Sequence, residues 1–311
     1  MSTLAQARNG LREAARRPRL VAWLWAIDTA FAAMVALPLG LALDRLLAHA
    51  PSGDILLERY AFDLAADLRR AAPDLGSMLR FAGVAAGIAA LVVAPYVAAG
   101  TVEVLRTVSG RGGAFRFARG AWLFGGRFLR AGLVAVPTAA VAAALAALPW
   151  LAVRQGLEES TAATARSALA WTAVACAALT ALAALLALDL ARLDIARRDG
   201  RRPMRLYFTA LRRVLVHPLR VLCIWLWTLL PVGVALALYF TACGRLAATH
   251  WTGIALLLIL QQLVGIARAA TRVALWSAEG GLLDEIAPLP VPLPALPAAP
   301  LGYELEASSP S

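Results

Sequence analysis

The sequence predicts an all-α polytopic membrane protein: six transmembrane helices with amphipathic, arginine-rich interfacial helices between them. Composition is the first reason. Of 311 residues, 61% are hydrophobic and only 16% charged, with mean hydropathy +0.71, whereas soluble domains carry about 45–50% apolar and about 25% charged residues. Run length is the second. The apolar residues gather into six stretches, 20–43, 81–102, 131–153, 168–190, 219–243 and 251–275, and about 20 apolar residues at 1.5 Å rise cross a hydrocarbon core. The third is the placement of the 30 basic residues, all arginine, which lie almost wholly between those stretches.

In chain order, residues 1–19 form a basic interfacial helix and 20–286 the six-helix domain, which includes an outer loop at 44–80. The first span is too long for the 7–15-residue apolar core of a signal peptide, so it reads as an anchor that stays, although Ala48-His49-Ala50 has a cleavage-like look. In the outer loop, Leu56, Leu57, Tyr60, Leu64 and Leu68 fall at helical spacing among charged residues. That pattern predicts a surface helix, which caps the bundle or binds a partner. Gly83-x-x-x-Gly87 and the alanine-rich fourth span permit close helix contact. Pro38, Pro95, Pro137 and Pro231 interrupt spans, as proline does in lipid when neighbours satisfy the freed carbonyls. A hinge in a transporter is the functional reading and an ordinary transmembrane proline the plain one. From Pro288 the chain runs PLPVPLPALPAAP, which predicts an extended, disordered tail over 287–311.

Orientation follows from the arginines, which favour cytoplasmic loops. Residues 1–19, 103–130 and 191–220 hold 20 of them and the alternate loops 8, while Arg268 and Arg272 lie within the last span. Both termini are expected in the cytoplasm. Tryptophans such as Trp23, Trp25, Trp150 and Trp251 stand near the boundaries, where amphipathic rings prefer the headgroup layer.

A weak register recurs three times. Arg17-Pro18, Arg127-Phe128 and His217-Pro218 precede spans at offsets of 110 and then 90 residues. The first and third copies also share Leu11, Arg12, Val21 and Trp25 with Leu211, Arg212, Val221 and Trp225. One plan follows: a basic amphipathic segment, a span out and a span back. In 113–129 and 203–216 apolar and arginine residues alternate as in helices lying at a membrane surface. Arg17, Arg116, Arg119, Arg127, Arg130, Arg205, Arg212, Arg213, His217 and Arg220 are the candidate contacts to anionic headgroups. Alternatively, they are positive-inside loops that happen to be helical. Glu103-x-x-Arg106 and Asp194-x-x-Arg197 read as braces one helical turn long.

Asp28 lies about 12 Å into the first span at 1.5 Å per residue, where a lone carboxylate must face protein or water. Gln261, Gly265, Arg268 and Arg272 make a polar stripe on the last span, with Gln262 beside it. Asp28 is therefore expected to pair with Arg268 or Arg272 and close the bundle. The functional alternative is that Asp28, Gln261, Gln262, Arg268 and Arg272 line a path for a small ion or anionic substrate.

Chemistry is poorly represented. Without lysine there is no Walker loop or Schiff base, and Cys176, Cys223 and Cys243 lack metal or redox spacing. His49, His217 and His250 are dispersed, and no nucleophile elbow or HExxH occurs. No catalytic residue, metal or cofactor is expected. The formal charge of +11 points to anionic lipid headgroups rather than nucleic acid, because the arginines flank spans. Asp189, Asp194, Asp199 and Gly200 have some look of the CDP-alcohol phosphotransferase signature but lack its DxxDG start and later aspartates.

The run DLARLDIARRDGRRPMRLYFTALRRVLVHPLRVL, flanked by spans, resembles uncharacterised bacterial six-span membrane proteins that repeat a basic helix before a span. The layout is similar to the membrane domain attached to some glycerophosphodiester phosphodiesterases. The resemblance implies a bacterial inner membrane and carries over no catalytic residue. The leading expectation is a non-enzymatic membrane scaffold or lipid-contacting assembly factor, with membrane lipids and an unidentified protein as partners. The alternative is a small permease using polar groups of the first and last spans.

Overall fold

The computed structural model describes residues 2–47, 73–106, 113–156, 163–245 and 251–288. They form α1 (Thr3–Arg16), α2 (Pro18–Leu47), α3 (Pro73–Arg106), α4 (Gly113–Gly156), α5 (Ala163–Arg198), α6 (Pro203–Val216), α7 (Pro218–Cys243) and α8 (Trp251–Ile286). Six of these, all but α1 and α6, are long and apolar enough to cross a membrane. The chain is an all-α, multi-pass membrane protein. The surface helix expected within 44–80 falls largely on 48–72, and nearly all the proline-rich tail on 289–311, both outside the described residues.

Several helices outrun the lengths read from hydropathy. α4 has 44 residues, about 66 Å at 1.5 Å each, against a hydrocarbon core of about 30 Å. The segment 113–129, expected as a separate interfacial helix, is continuous with the span that follows. Its two counterparts are separate, and proline is the reason. Pro18 and Pro218 disfavour helical backbone at the residue before them, so Arg17 sits at φ −119°, ψ 54° and His217 at φ −124°, ψ 48°. The second copy carries Phe128 there, and nothing interrupts the hydrogen-bond ladder. Pro38, Pro95, Pro137 and Pro231 lie inside continuous helices, as does Pro149.

The threefold register has a structural counterpart in burial. At offsets of 110 and 90, Gly10, Gly120 and Ala210 are all buried, as are Ala14, Phe124 and Val214, and Val21, Ala131 and Val221. Each basic segment packs on the returning helix of the preceding unit: the start of α4 on α3, α6 on α5, and α1 on α8. The order is cyclic, so the first unit closes on the last. Two glycines permit it. A Cβ on Gly10 would lie 2.3 Å from the Ala274 carbonyl oxygen, and one on Gly120 would lie 2.3 Å from the Glu103 Cβ.

The packed core sits at the end of the bundle where these segments lie. Phe128, Leu190, Ile195, Tyr207, Ile224 and Leu282 are fully buried there. Toward the opposite end, large apolar side chains such as Phe81, Leu145, Leu238 and Trp251 are exposed, the surface expected where lipid is the solvent.

Candidate functional site

Nineteen described arginines fall in the segments 2–19, 103–130 and 191–220, all at one end of the bundle. Contacts between segments distant in sequence tie this end together. Arg17 donates to the Val104 carbonyl and pairs with Glu13 at 2.6 Å. Arg127 pairs with Asp199, and Arg197 with Asp284. Arg220 meets Glu285 at 3.2 Å, and Gln6 Nε2 donates to the same carboxylate at 3.0 Å. Ion pairs reached by water are screened and contribute little, so these orient the arginines more than they hold the fold.

Asp194 is different. Its carboxylate is fully buried and bridges Arg198 Nε at 2.6 Å and Arg213 Nη1 at 2.8 Å, joining α5 to α6. The expected Asp194-x-x-Arg197 brace is replaced by this i,i+4 pair, because Arg197 reaches across to α8. The Glu103–Arg106 brace is present at 3.3 Å.

A cleft of about 530 Å³ opens between the end of α3, the first turns of α4 and the end of α5. Glu103 and Arg106 line one wall, and Arg197, Arg198 and Asp199 the other. Arg119 and Arg127 come from α4, with Leu123 and Phe124. The guanidinium carbons of Arg106 and Arg127 stand 5.9 and 5.5 Å from the Phe124 ring centroid, within the range of cation–π attraction. Asp199 has φ 48° in the turn that precedes Gly200. The hydrogen bond from Arg127, then its charge, holds the Asp199 carboxyl below its ordinary value.

Of the other candidate headgroup contacts, Arg130, Arg205 and Arg212 are exposed, Arg116 is half-buried, and His217 occupies the break between α6 and α7. Arg213 is committed to Asp194 and Arg220 to Glu285. Only Arg119 and Arg127 of the ten reach the cleft.

Within the spans, Asp28 Oδ1 lies 3.5 Å from Arg272 Nη1, the second of the two partners expected for it. Trp25 Nε1 donates to Gln262 Oε1 at 3.0 Å, and Trp25 packs where Gly265 leaves room. The face of α8 turned to α2 is therefore 262, 265, 269 and 272, with Ala269 buried in it. Gln261 and Arg268 are exposed. Gly265 and Arg272 of the expected stripe thus lie on the packed face, and Gln261 and Arg268 lie off it. The five polar groups do not converge on one site.

A buried polar group escaped the sequence reading. Glu279 of α8 is 1% exposed, and neither carboxyl oxygen has a hydrogen-bond partner among the described residues. Its charged neighbours are Asp189 and Arg192 of α5, already paired with each other at 2.9 Å. The only advance sign was a carboxylate on the extension of the last span, and hydropathy gave no reason to continue that helix past 275. The Glu285–Arg220 contact was missed for the same reason. No protein-family model, curated protein or solved structure matches this chain.

Proposed function

We propose that the chain is a non-enzymatic membrane scaffold of a bacterial inner membrane, with both termini cytoplasmic, whose arginine end holds anionic lipid headgroups. The observation that carries this reading is the arginine layer. Segments from all three units bring their guanidiniums to one end, and Arg8, Arg12, Arg19, Arg130, Arg205 and Arg212 stand exposed around it. Juxtamembrane basic residues each contribute about 1 kcal/mol near an anionic leaflet. The excess of arginine at this end supports placing it in the cytoplasm.

The test uses the full chain in nanodiscs of zwitterionic lipid with or without anionic lipid. Anionic lipid is expected to raise Tm and to be retained in native mass spectrometry. A combined Arg8→Gln, Arg12→Gln, Arg205→Gln and Arg212→Gln variant should lose that preference while keeping its helical spectrum. Equal behaviour in both lipids would overturn the reading. Solute flux into liposomes that depends on Asp28 would favour the permease instead.

A further inference from the structure

We propose that the cleft between α3, α4 and α5 binds a single phosphomonoester group, carried by a lipid headgroup, or a free phosphate. Only the source of that phosphate rests on the headgroup reading above; the site itself does not. Five arginines line the cleft against two carboxylates, Glu103 and Asp199. Two further carboxylates, Asp284 and Asp194, reach Arg197 and Arg198 from outside the lining, and Asp194 is shared with Arg213. Positive charge still exceeds negative. Arg119 makes no ion pair among the described residues.

The donors are also held in place. Phe124 is a buried ring against which Arg106 and Arg127 both lie, so little side-chain freedom remains to be lost on binding. Arg197 is anchored through Nη2 to Asp284, while its Nη1 is buried and lacks any partner in the described residues. A cleft lined by held guanidiniums, one of them without an ion pair among the described residues, suits an anion with several oxygens. Phosphate suits guanidinium pairs through parallel, charge-assisted hydrogen bonds. Leu123, exposed on α4 and part of the lining, gives the cleft an apolar edge that suits an acyl chain. Asp199 already occupies one of the guanidiniums the ligand would use, so it acts as a competing anion.

The experiment is calorimetry on the full chain in neutral detergent, with dioctanoyl phosphatidic acid, inorganic phosphate and dioctanoyl phosphatidylcholine as probes. Saturable one-to-one binding of the phosphatidic acid is expected, weakened about tenfold or more in Arg127→Gln, the scale of one charge-assisted hydrogen bond. Asp199→Asn keeps a residue that tolerates the left-handed turn and should tighten binding about fivefold, the scale of one exposed charge pair. Both variants should keep the wild-type helical spectrum. Equal binding of inorganic phosphate would support the site and assign its source to a free anion. Phosphatidylcholine binding as tight as phosphatidic acid, no saturable binding, or affinities unmoved by both substitutions would overturn the proposal. The nanodisc preference for anionic lipid could survive any of these results, because it depends on arginines outside the cleft.

Discussion

Asp194→Asn is the substitution whose cost the structure fixes best. The carboxylate is fully buried and serves two guanidiniums, Arg213 with 19% of its side chain exposed and Arg198 with 34%. Asparagine keeps the shape and one acceptor oxygen but removes the charge, so two cations remain facing a neutral amide. Taking one partner from a buried pair costs about 3–5 kcal/mol. The partial exposure of Arg198 lets water recover some of that, so the lower figure applies. At about 2–4 °C per kcal/mol for a domain of 150–250 residues, the expected fall in Tm is about 6–12 °C. Arg213→Gln leaves Asp194 with Arg198 and should cost about half as much. Thermal unfolding in detergent, followed by circular dichroism and by loss of the monomer peak, measures all three chains. The double variant completes a cycle whose coupling should be about 1 kcal/mol or more. A Tm for Asp194→Asn within about 2 °C of wild type would refute the claim that this bridge locks α6 to α5.

Other expectations follow from the same contacts. Gly10→Ala should lower stability by about 1–3 kcal/mol, read as a fall in Tm, because the new methyl meets a backbone oxygen; the helix-propensity gain of about 1 kcal/mol would raise Tm if α1 did not pack on α8. Glu279→Gln should leave Tm unchanged or higher, since Asp189 and Arg192 already satisfy each other and no donor among the described residues serves the carboxyl; a clear fall would show that the carboxylate does more than fill space. Asp28→Arg with Arg272→Asp should recover detergent-stable protein lost in each single variant, and no recovery would deny that the 3.5 Å contact matters. The pH dependence of the Asp199 contact has a definite sign. Its folded-state value is lowered, so its contribution is present above 3.8 and lost as pH falls through the lower value. The small Tm difference between wild type and Asp199→Asn should therefore shrink as pH falls below 3.8.

Hydropathy made the spans legible because lipid leaves no alternative for a long apolar run. It made the helix ends illegible, since nothing in apolar content marks where a polar, tertiary-packed extension stops. α8 shows this well: its last eleven residues carry Trp276, Glu279, Leu282 and Leu283, all buried against other helices rather than in hydrocarbon. The Asp28–Arg272 contact was readable because two intramembrane charges on spans that can meet seek each other. The cleft was not readable. It assembles Arg106, Arg127 and Arg197 from three helices, and only the packing of α3, α4 and α5 shows that these three, out of so many arginines, converge.

The three repeats solve one packing problem in different ways, and the difference locates the charge chemistry. Where Gly10 and Gly120 let a basic segment lie directly on the returning helix, the backbone oxygens of Ala274 and Ala99 approach the position a methyl would take, and close contact itself supplies the joint. At Ala210 the third unit carries that methyl, and its joint is made instead by the Asp194 carboxylate reaching Arg213. The acidic position is used differently in turn. Glu103 at the second joint holds Arg106 at the cleft, while at the first joint Ala278 has no charge to offer. The extra negative groups of α8, Asp284 and Glu285, compensate by reaching Arg197 and Arg220. Exposed guanidiniums stand around the whole ring, but beside the α3–α4 joint five arginines line a single cleft. Binding at that one place, rather than a uniform belt of equivalent contacts, is what this asymmetry requires: phosphatidic acid titrated into the full chain should saturate at one site per monomer in neutral detergent, and three equivalent sites would refute it.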